Sequence, residues 1–230
     1  KAVVLAAGYA TRLRPLTDRI PKPLIEVGGK PLIVWHLERL AAAGFREIVI
    51  NLSHLGAQIE QALGTGEAWG HSIRYSREPA PLETAGALAF ARAELGEQPF
   101  LLANGDIYCE YPLARLRALA LGDRLAHLVL VPNPSFRAEG DFSLDNGCVG
   151  NRAAPRYTYA GLAVISPRLA GAVETGAKAG LAPLLRLHAE AGRVSGELYA
   201  GLWADVGTSE RRAALDAQLR AAPAETRTTR

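Results

Sequence analysis

The chain reads as an α/β protein, a Rossmann-like and mainly parallel sheet flanked by helices, with a small β-rich lobe after it. Three observations predict this. Apolar strand-like runs alternate with helix-period segments through the first half. That β-α-β-α-β-α-β order demands a parallel sheet with helices on both faces. After "AHLVLVPNP" the alternation weakens into short strands separated by Asn-Gly and Pro, as antiparallel hairpins require. The composition, 49% hydrophobic and 21% charged, is that of a folded domain and excludes a disordered or low-complexity chain.

Lys1–Leu5 is a continuous apolar run suited to a strand covered on both faces. "PLIVWHLERLAAAG" opens a helix at Pro31, with Leu32, Trp35, Leu40 and Ala43 near helical spacing and Gly44 as its stop. "EIVINL" is the next strand, and "LGAQIEQALG" a helix with its own glycine stop. "SIRYSRE" alternates as a strand does. "TAGALAFARAEL" is helical with Thr84 as N-cap, and "PFLLANGD" is a buried strand ending in a carboxylate. "FSL", "CVG" and "YTYAGLAVI" supply the antiparallel strands. Gly180–Gly192 and Ser209–Leu219 are late helices, with "VSGELYAGLWADVG" as strand material between them. One domain over residues 1–219 follows, with a flexible tail over 220–230.

Whole-chain features remove several function classes. The 230 residues suffice for one sizeable core. The formal net charge is +3, most of it in the tail, where Arg220, Arg227 and Arg230 face Glu225 alone. No basic stripe with interleaved aromatics is present, so nucleic acid is not an expected partner. No apolar run approaches the roughly 18 to 20 residues that cross a bilayer, and no signal-peptide pattern follows Lys1. Cys109 and Cys148 lack CxxC spacing and read as free, mostly buried thiols of a reducing compartment. A cytoplasmic location is expected.

Chemistry concentrates where open α/β sheets bind ligands, beyond the carboxyl ends of the strands. "LAAGYATRLRPLTDRIPKPL", Leu5 to Leu24, is far longer than the about two to six residues a simple connection needs. Gly8 lets backbone approach a ligand, and Arg12 and Arg14 suit phosphate oxygens. Pro15 and Pro21 stiffen the loop, and Lys22 is aimed by Pro21 and Pro23 on either side. Two carboxylates face this cationic loop, Asp106 of "NGD" and Asp205 of "WADVGT". Taken singly, each residue is an ordinary loop charge or turn former. Together they suit Mg²⁺ shared with phosphates, the equipment of phosphoryl or nucleotidyl transfer. The five histidines share no ligand spacing and receive no role.

"LAAGYATRLRPLTDRIPKPLIEVGGKPLI", with "NGD" and "WADVGT" in order, resembles the signature of the sugar-phosphate nucleotidyltransferases, the nucleoside-diphosphate-sugar pyrophosphorylases. The likeness spans Lys1 to Leu219. One departure is Ala10, where the family's usual pattern has a second glycine. The resemblance implies a nucleotide-binding half over about 1–110 and a half over about 111–219 that holds the sugar and the second metal aspartate. It implies that a sugar 1-phosphate attacks the α-phosphorus of a nucleoside triphosphate (NTP) and that pyrophosphate leaves. Arg12 then holds the β and γ phosphates, Lys22 bridges toward the attacking phosphate, and Asp106 and Asp205 hold Mg²⁺. Ala6, Ala7, Gly8, Glu83, Gly86 and Asn104 are expected around the nucleotide. The expected partners are these two small molecules, with no nucleic acid and no membrane, in a monomer or small homo-oligomer.

"PLETAGAL", Pro81 to Leu88, corresponds to the base-reading loop, with Glu83 where most relatives have glycine. A carboxylate accepts from N3–H of uracil and opposes N3 of cytosine; guanine, with its own N–H donors, stays open. "PLET" in a short chain resembles the N-acetylmuramate 1-phosphate uridylyltransferases of cell-wall sugar recycling. The hexose-type Glu-Lys-Pro segment is missing, and "GNRAAPRYTYAGL" stands in its place. Asn151, Arg152, Arg156, Tyr157 and Gly161 are therefore expected at the sugar, with Arg152 or Arg156 on the lactyl carboxylate. The runner-up is a mannose 1-phosphate guanylyltransferase. A nucleotide-binding regulatory module without turnover is the non-enzyme alternative, opposed by Arg12, Lys22, Asp106 and Asp205 standing together. A dinucleotide-binding oxidoreductase fits poorly, because "GYATRL" lacks the three-glycine fingerprint.

Overall fold

A computed structural model describes residues 1–151 and 154–221. Its strands and helices are β1 (Ala2–Leu5), β2 (Glu26–Val27), β3 (Lys30–Pro31), α1 (Leu32–Ala42), β4 (Glu47–Leu52), α2 (Gly56–Leu63), β5 (Ser72–Arg77), α3 (Glu83–Phe90) and α4 (Arg92–Leu95). There follow β6 (Phe100–Asn104), β7 (Ile107–Cys109), α5 (Leu113–Arg117), β8 (Ala126–Val131), β9 (Phe142–Asp145), β10 (Cys148–Gly150) and β11 (Arg156–Ile165). The chain closes with α6 (Leu181–Glu190), β12 (Val194–Leu198), β13 (Trp203–Asp205) and α7 (Ser209–Ala221).

The main sheet runs β5-β4-β1-β6-β11-β8-β12-β10-β9, and its first four strands are all parallel. Because successive strand residues face opposite ways, Val3 and Val4 enter different cores. On the Val4 side pack Ile33, Leu37 and Leu40 of α1 and Ile59 and Leu63 of α2. On the Val3 side pack Leu88 of α3 and Leu181, Leu185 and Ala189 of α6. This is the predicted two-faced α/β sandwich. A third cluster joins Val27, Leu32, Trp35, Tyr108 and Val206 to Leu215 and Leu219 of α7.

The β-rich lobe continues the same sheet. β11 runs antiparallel to β6 through Leu162–Ile165, pairs with β8 toward both of its ends, and joins β9 at Arg156 and Tyr157. A register shift between Tyr159 and Ala163 lets one strand serve both halves, and Gly161 turns there at φ 79°. Since β9 pairs both β10 and β11, the strands β11, β8, β12, β10 and β9 close into a ring.

The structure refines or corrects local expectations at several points. The opening loop carries three short 3₁₀ turns, pinned by buried Leu13 and by Thr17, whose Oγ1 donates to the Ala10 carbonyl at 3.0 Å. Thr84 lies inside α3, which begins at Glu83 with no side-chain cap, and the segment breaks at Ala91 into two helices. Cys109 is buried, but Cys148 is exposed, on the short strand β10 between β12 and β9. The last helix reaches Ala221, two residues into the expected tail; residues 222–230 lie outside those described. Among the described residues no helix is long and apolar enough to cross a membrane.

Candidate active site

Beyond the carboxyl ends of β1, β4, β5 and β6 lies a cavity of about 540 Å³. Ala6, Ala7, Gly8, Arg12 and Lys22 of the opening loop line one side of it, and Glu83, Asn104 and Asp106 line others. The loop keeps its shape partly through Ala10, which occupies the left-handed region at φ 49° and ψ 43°. Arg12 is exposed toward the cavity, whereas Arg14 turns aside to pair with Asp18 at 3.0 Å.

Three strand ends are tied together by side chains. Asn51, at the end of β4, accepts from the Ala6 N–H through Oδ1 at 2.7 Å and donates through Nδ2 to Glu78 Oε1 at 2.7 Å. Glu78, just after β5, accepts the Leu82 N–H on Oε2 at 2.9 Å. A buried chain of bonds thus fixes the glycine loop relative to the loop that carries Glu83. Burial pushes the Glu78 carboxyl above its ordinary range, and the bonds from Asn51 and Leu82 work against that shift.

The backbones of the two predicted aspartates are joined by short strands, and of the two only Asp106 lines the cavity. β13 pairs antiparallel with β7, setting Asp205 opposite Ile107, and the Val206 N–H donates to the Asp106 carbonyl at 2.9 Å. α7 clamps this arrangement, because Asp216 Oδ1 accepts the Gly28 N–H at 2.8 Å while Leu215 and Leu219 pack on Trp35 and Val27. Lys22, almost fully buried, donates to Asp106 Oδ2 at 2.9 Å. Asp205 Oδ1 is buried without a hydrogen-bond partner. Two carboxylates with a free oxygen, and no third protein ligand among the described residues, fit a hard cation that completes its shell with phosphate oxygens and water.

A nucleotidyl transferase family model matches residues 1–134. The chain is 49% identical over 221 residues to N-acetylmuramate alpha-1-phosphate uridylyltransferase of Neisseria meningitidis serogroup B, covering 90% of this chain and 93% of that one. The chain belongs to the nucleotidyl transferase family. It is also 46% identical over 121 residues to mannose-1-phosphate guanyltransferase of Schizosaccharomyces pombe, but that match covers 51% of this chain and 33% of the relative. Among solved structures, a Bacillus anthracis protein described as a glucose-1-phosphate thymidylyltransferase superposes with a TM-score of 0.85 at 19% identity, over 97% of this chain and 96% of that one. The last likeness bears on the fold alone.

In this nucleotidyl transferase several expected residues lie elsewhere than the cavity wall. Gly86 is buried against the loop before α6: its N–H donates to the Ala179 carbonyl at 3.0 Å, and a Cβ there would overlap the Ala177 carbonyl. Gly161 abuts Asn104, where a Cβ would stand 3.0 Å from the amide side chain. Asn151 Nδ2 holds the Arg186 carbonyl at 2.7 Å, and Arg156 Nη2 holds the Asp141 carbonyl at 2.6 Å. Tyr157 packs against the second core. Arg152 lies outside the described residues. Asn51, Glu78 and Lys178 line the cavity without having been expected there. Lys178 pairs with Glu83 at 3.5 Å. Asn51, a polar residue ending an otherwise apolar strand run, and Glu78, an acid at a strand end like Asp106, were the available signals.

Proposed function

We propose that this enzyme transfers a uridylyl group from UTP to N-acetylmuramate 1-phosphate, yielding the UDP-sugar and pyrophosphate. The observation that carries the reading is the 49% identity to the Neisseria uridylyltransferase across nearly the whole of both chains. Glu83 in the cavity adds to it, since a carboxylate accepts from N3–H of uracil and opposes the unprotonated N3 of cytosine, while guanine, with its own N–H donors, stays open. On this reading the enzyme works in the cytoplasm, in the reuse of cell-wall sugars.

In the reaction an oxygen of the sugar phosphate forms a bond to the α-phosphorus. The bond from that phosphorus to the bridging oxygen of the β-phosphate breaks, and its electron pair leaves with pyrophosphate. A phosphate monoester has a second pKa near about 6, so it is already an anionic nucleophile at neutral pH and needs no base. The protein's work is positioning and charge. Ala6, Ala7 and Gly8 let the phosphates approach backbone, Arg12 holds the β and γ phosphates, and Lys22 stands between Asp106 and the attacking group. Asp106 and Asp205 would hold Mg²⁺, which supplies neutralisation of the phosphate oxygens when bound.

Pyrophosphate release measured with four NTPs and three sugar 1-phosphates tests this. The lactyl group distinguishes N-acetylmuramate 1-phosphate from N-acetylglucosamine 1-phosphate. One charge-assisted contact to it corresponds to a preference in kcat/KM on the order of 10- to 100-fold. Equal use of the two amino sugars overturns the muramate reading, and preference for GTP with mannose 1-phosphate replaces it. No turnover with any pair leaves a binding module.

A further inference from the structure

Three charged side chains converge over Gly207. A Cβ there would overlap Arg211 Nη2 and would stand 2.5 Å from Asp205 Oδ1 and 3.1 Å from Arg12 Nη2. Only glycine leaves these groups the space. Arg211, in the first turn of α7, lays its guanidinium on the ring of Phe136 at 4.1 Å. Its Nη2 stands 3.7 Å from Asp205 Oδ1, close enough for an ion pair and too far for a hydrogen bond. Both partners record this: Asp205 Oδ1 and Arg211 Nε are each buried with no hydrogen-bond partner.

Each aspartate therefore has a cation of its own, Lys22 for Asp106 and Arg211 for Asp205. Arg12, whose Nη2 reaches the same space over Gly207, adds a third positive side chain. A free divalent cation would enter a site already overcompensated, and the largely buried Arg211 charge is poorly screened by solvent. A nucleoside triphosphate, as a polyanion, reverses that balance.

We propose that Arg211 closes the carboxylate pair to a free divalent cation, so that the metal enters only together with the nucleotide's phosphates. Arg211 acts here through Asp205 and is a positioning residue, and the inference rests on reading Asp106 and Asp205 as the metal pair. Phe136 is what makes the device selective. By holding the guanidinium short of a full hydrogen bond, it leaves Asp205 Oδ1 able to accept a cation once the charge balance changes.

Equilibrium dialysis of Mn²⁺ against the protein, with UTP absent or present on both sides, tests this without turnover. The expected result for the unaltered protein is weak retention of Mn²⁺ alone and strong retention with UTP. Arg211→Gln is expected to bind Mn²⁺ alone tighter by on the order of tenfold, while Arg211→Lys, which keeps the charge, is not. Misfolding lowers cation affinity, so a gain in Arg211→Gln is not produced by structural damage. Equal affinity of Arg211→Gln and the unaltered protein for Mn²⁺ alone, with retention under UTP intact, overturns the inference and leaves the metal pair standing. Failure of the unaltered protein to retain Mn²⁺ even with UTP overturns both.

Discussion

Lys22 Nζ lies 2.9 Å from Asp106 Oδ2, although 84 residues separate the two in the chain. The lysine is almost fully buried and the carboxylate is partly open to the cavity. A charge so placed is most useful when negative charge gathers between attacking and leaving groups. Lys22→Ala should therefore lower kcat together with kcat/KM in steady-state assays of pyrophosphate release. A rise in KM at unchanged kcat would make Lys22 a uniform binding contact instead.

Asp106→Asn and Asp205→Asn each remove a formal charge from the pair that β7 and β13 bring together. Loss of a metal ligand and of phosphate neutralisation should cost on the order of 10²-fold or more in kcat at saturating Mg²⁺. Circular dichroism checks that the fold survives. Turnover within a few-fold of the unaltered protein would remove that aspartate from the metal pair.

Ala10 sits at φ 49° and ψ 43°, held there by Leu13 N–H and Thr17 Oγ1 donating to its carbonyl at 2.9 and 3.0 Å. Left-handed backbone costs an L-residue roughly 1 to 2 kcal/mol, partly offset in glycine by greater freedom of the unfolded chain. Ala10→Gly should thus stabilise the protein by about 0.5 to 1 kcal/mol in urea denaturation, with activity retained. An unchanged or lower midpoint would show that the loop's own bonds outweigh the residue's conformational preference.

Periodicity made the strand and helix order legible, because Val3 and Val4 must each find an apolar neighbour on opposite faces. Lys22, Asp106 and Asp205 stand out in the sequence for a different reason: their short motifs carry chemistry in residue type and order. Contacts that depend on register across strands left no such trace. Asn51 meets Ala6 and Glu78 only because β4 lies between β1 and β5. Arg211 meets Asp205 across the turn at Gly207, where α7 begins straight after β13, a local approach that the motif alone did not announce. The anchoring of the sugar-side residues was not legible either. One nitrogen each of Asn151 and Arg156 is held by a backbone carbonyl, of α6 and of the loop before β9, while Asn151 Oδ1 and Arg156 Nε have no hydrogen-bond partner.

Glu78 offers two acceptors to two donors, Asn51 Nδ2 and the Leu82 N–H. Glutamine keeps the shape but sets an amide donor against one of them. In so buried a place an unmet donor costs about 1 to 3 kcal/mol. Glu78→Gln should lower the melting temperature and raise KM for the NTP, since the bond chain fixes the glycine loop against the Glu83 loop. The sugar 1-phosphate KM should move much less. Equal shifts in both would make the effect global.

His36 sets the expected acid limit of the fold. It lies in α1, is buried, and its Nε2 has no hydrogen-bond partner. Burial lowers its pKa from 6.5 to about 4, with Arg39 adding to the shift and the Ile107 backbone and Asp106 opposing it. The unfolded chain therefore binds a proton between these values that the folded chain refuses. The corresponding stability is present above about pH 6.5 and is lost as pH falls toward 4. At pH 5 the loss from this one group is about 2 kcal/mol. His127, also lowered mainly by burial, acts in the same direction. Urea denaturation at pH 7.5 and pH 5 should show a smaller pH-dependent loss in His36→Gln than in the unaltered protein. If the two lose the same stability, the protonation that weakens the fold lies elsewhere, with His127→Gln as the next variant to measure.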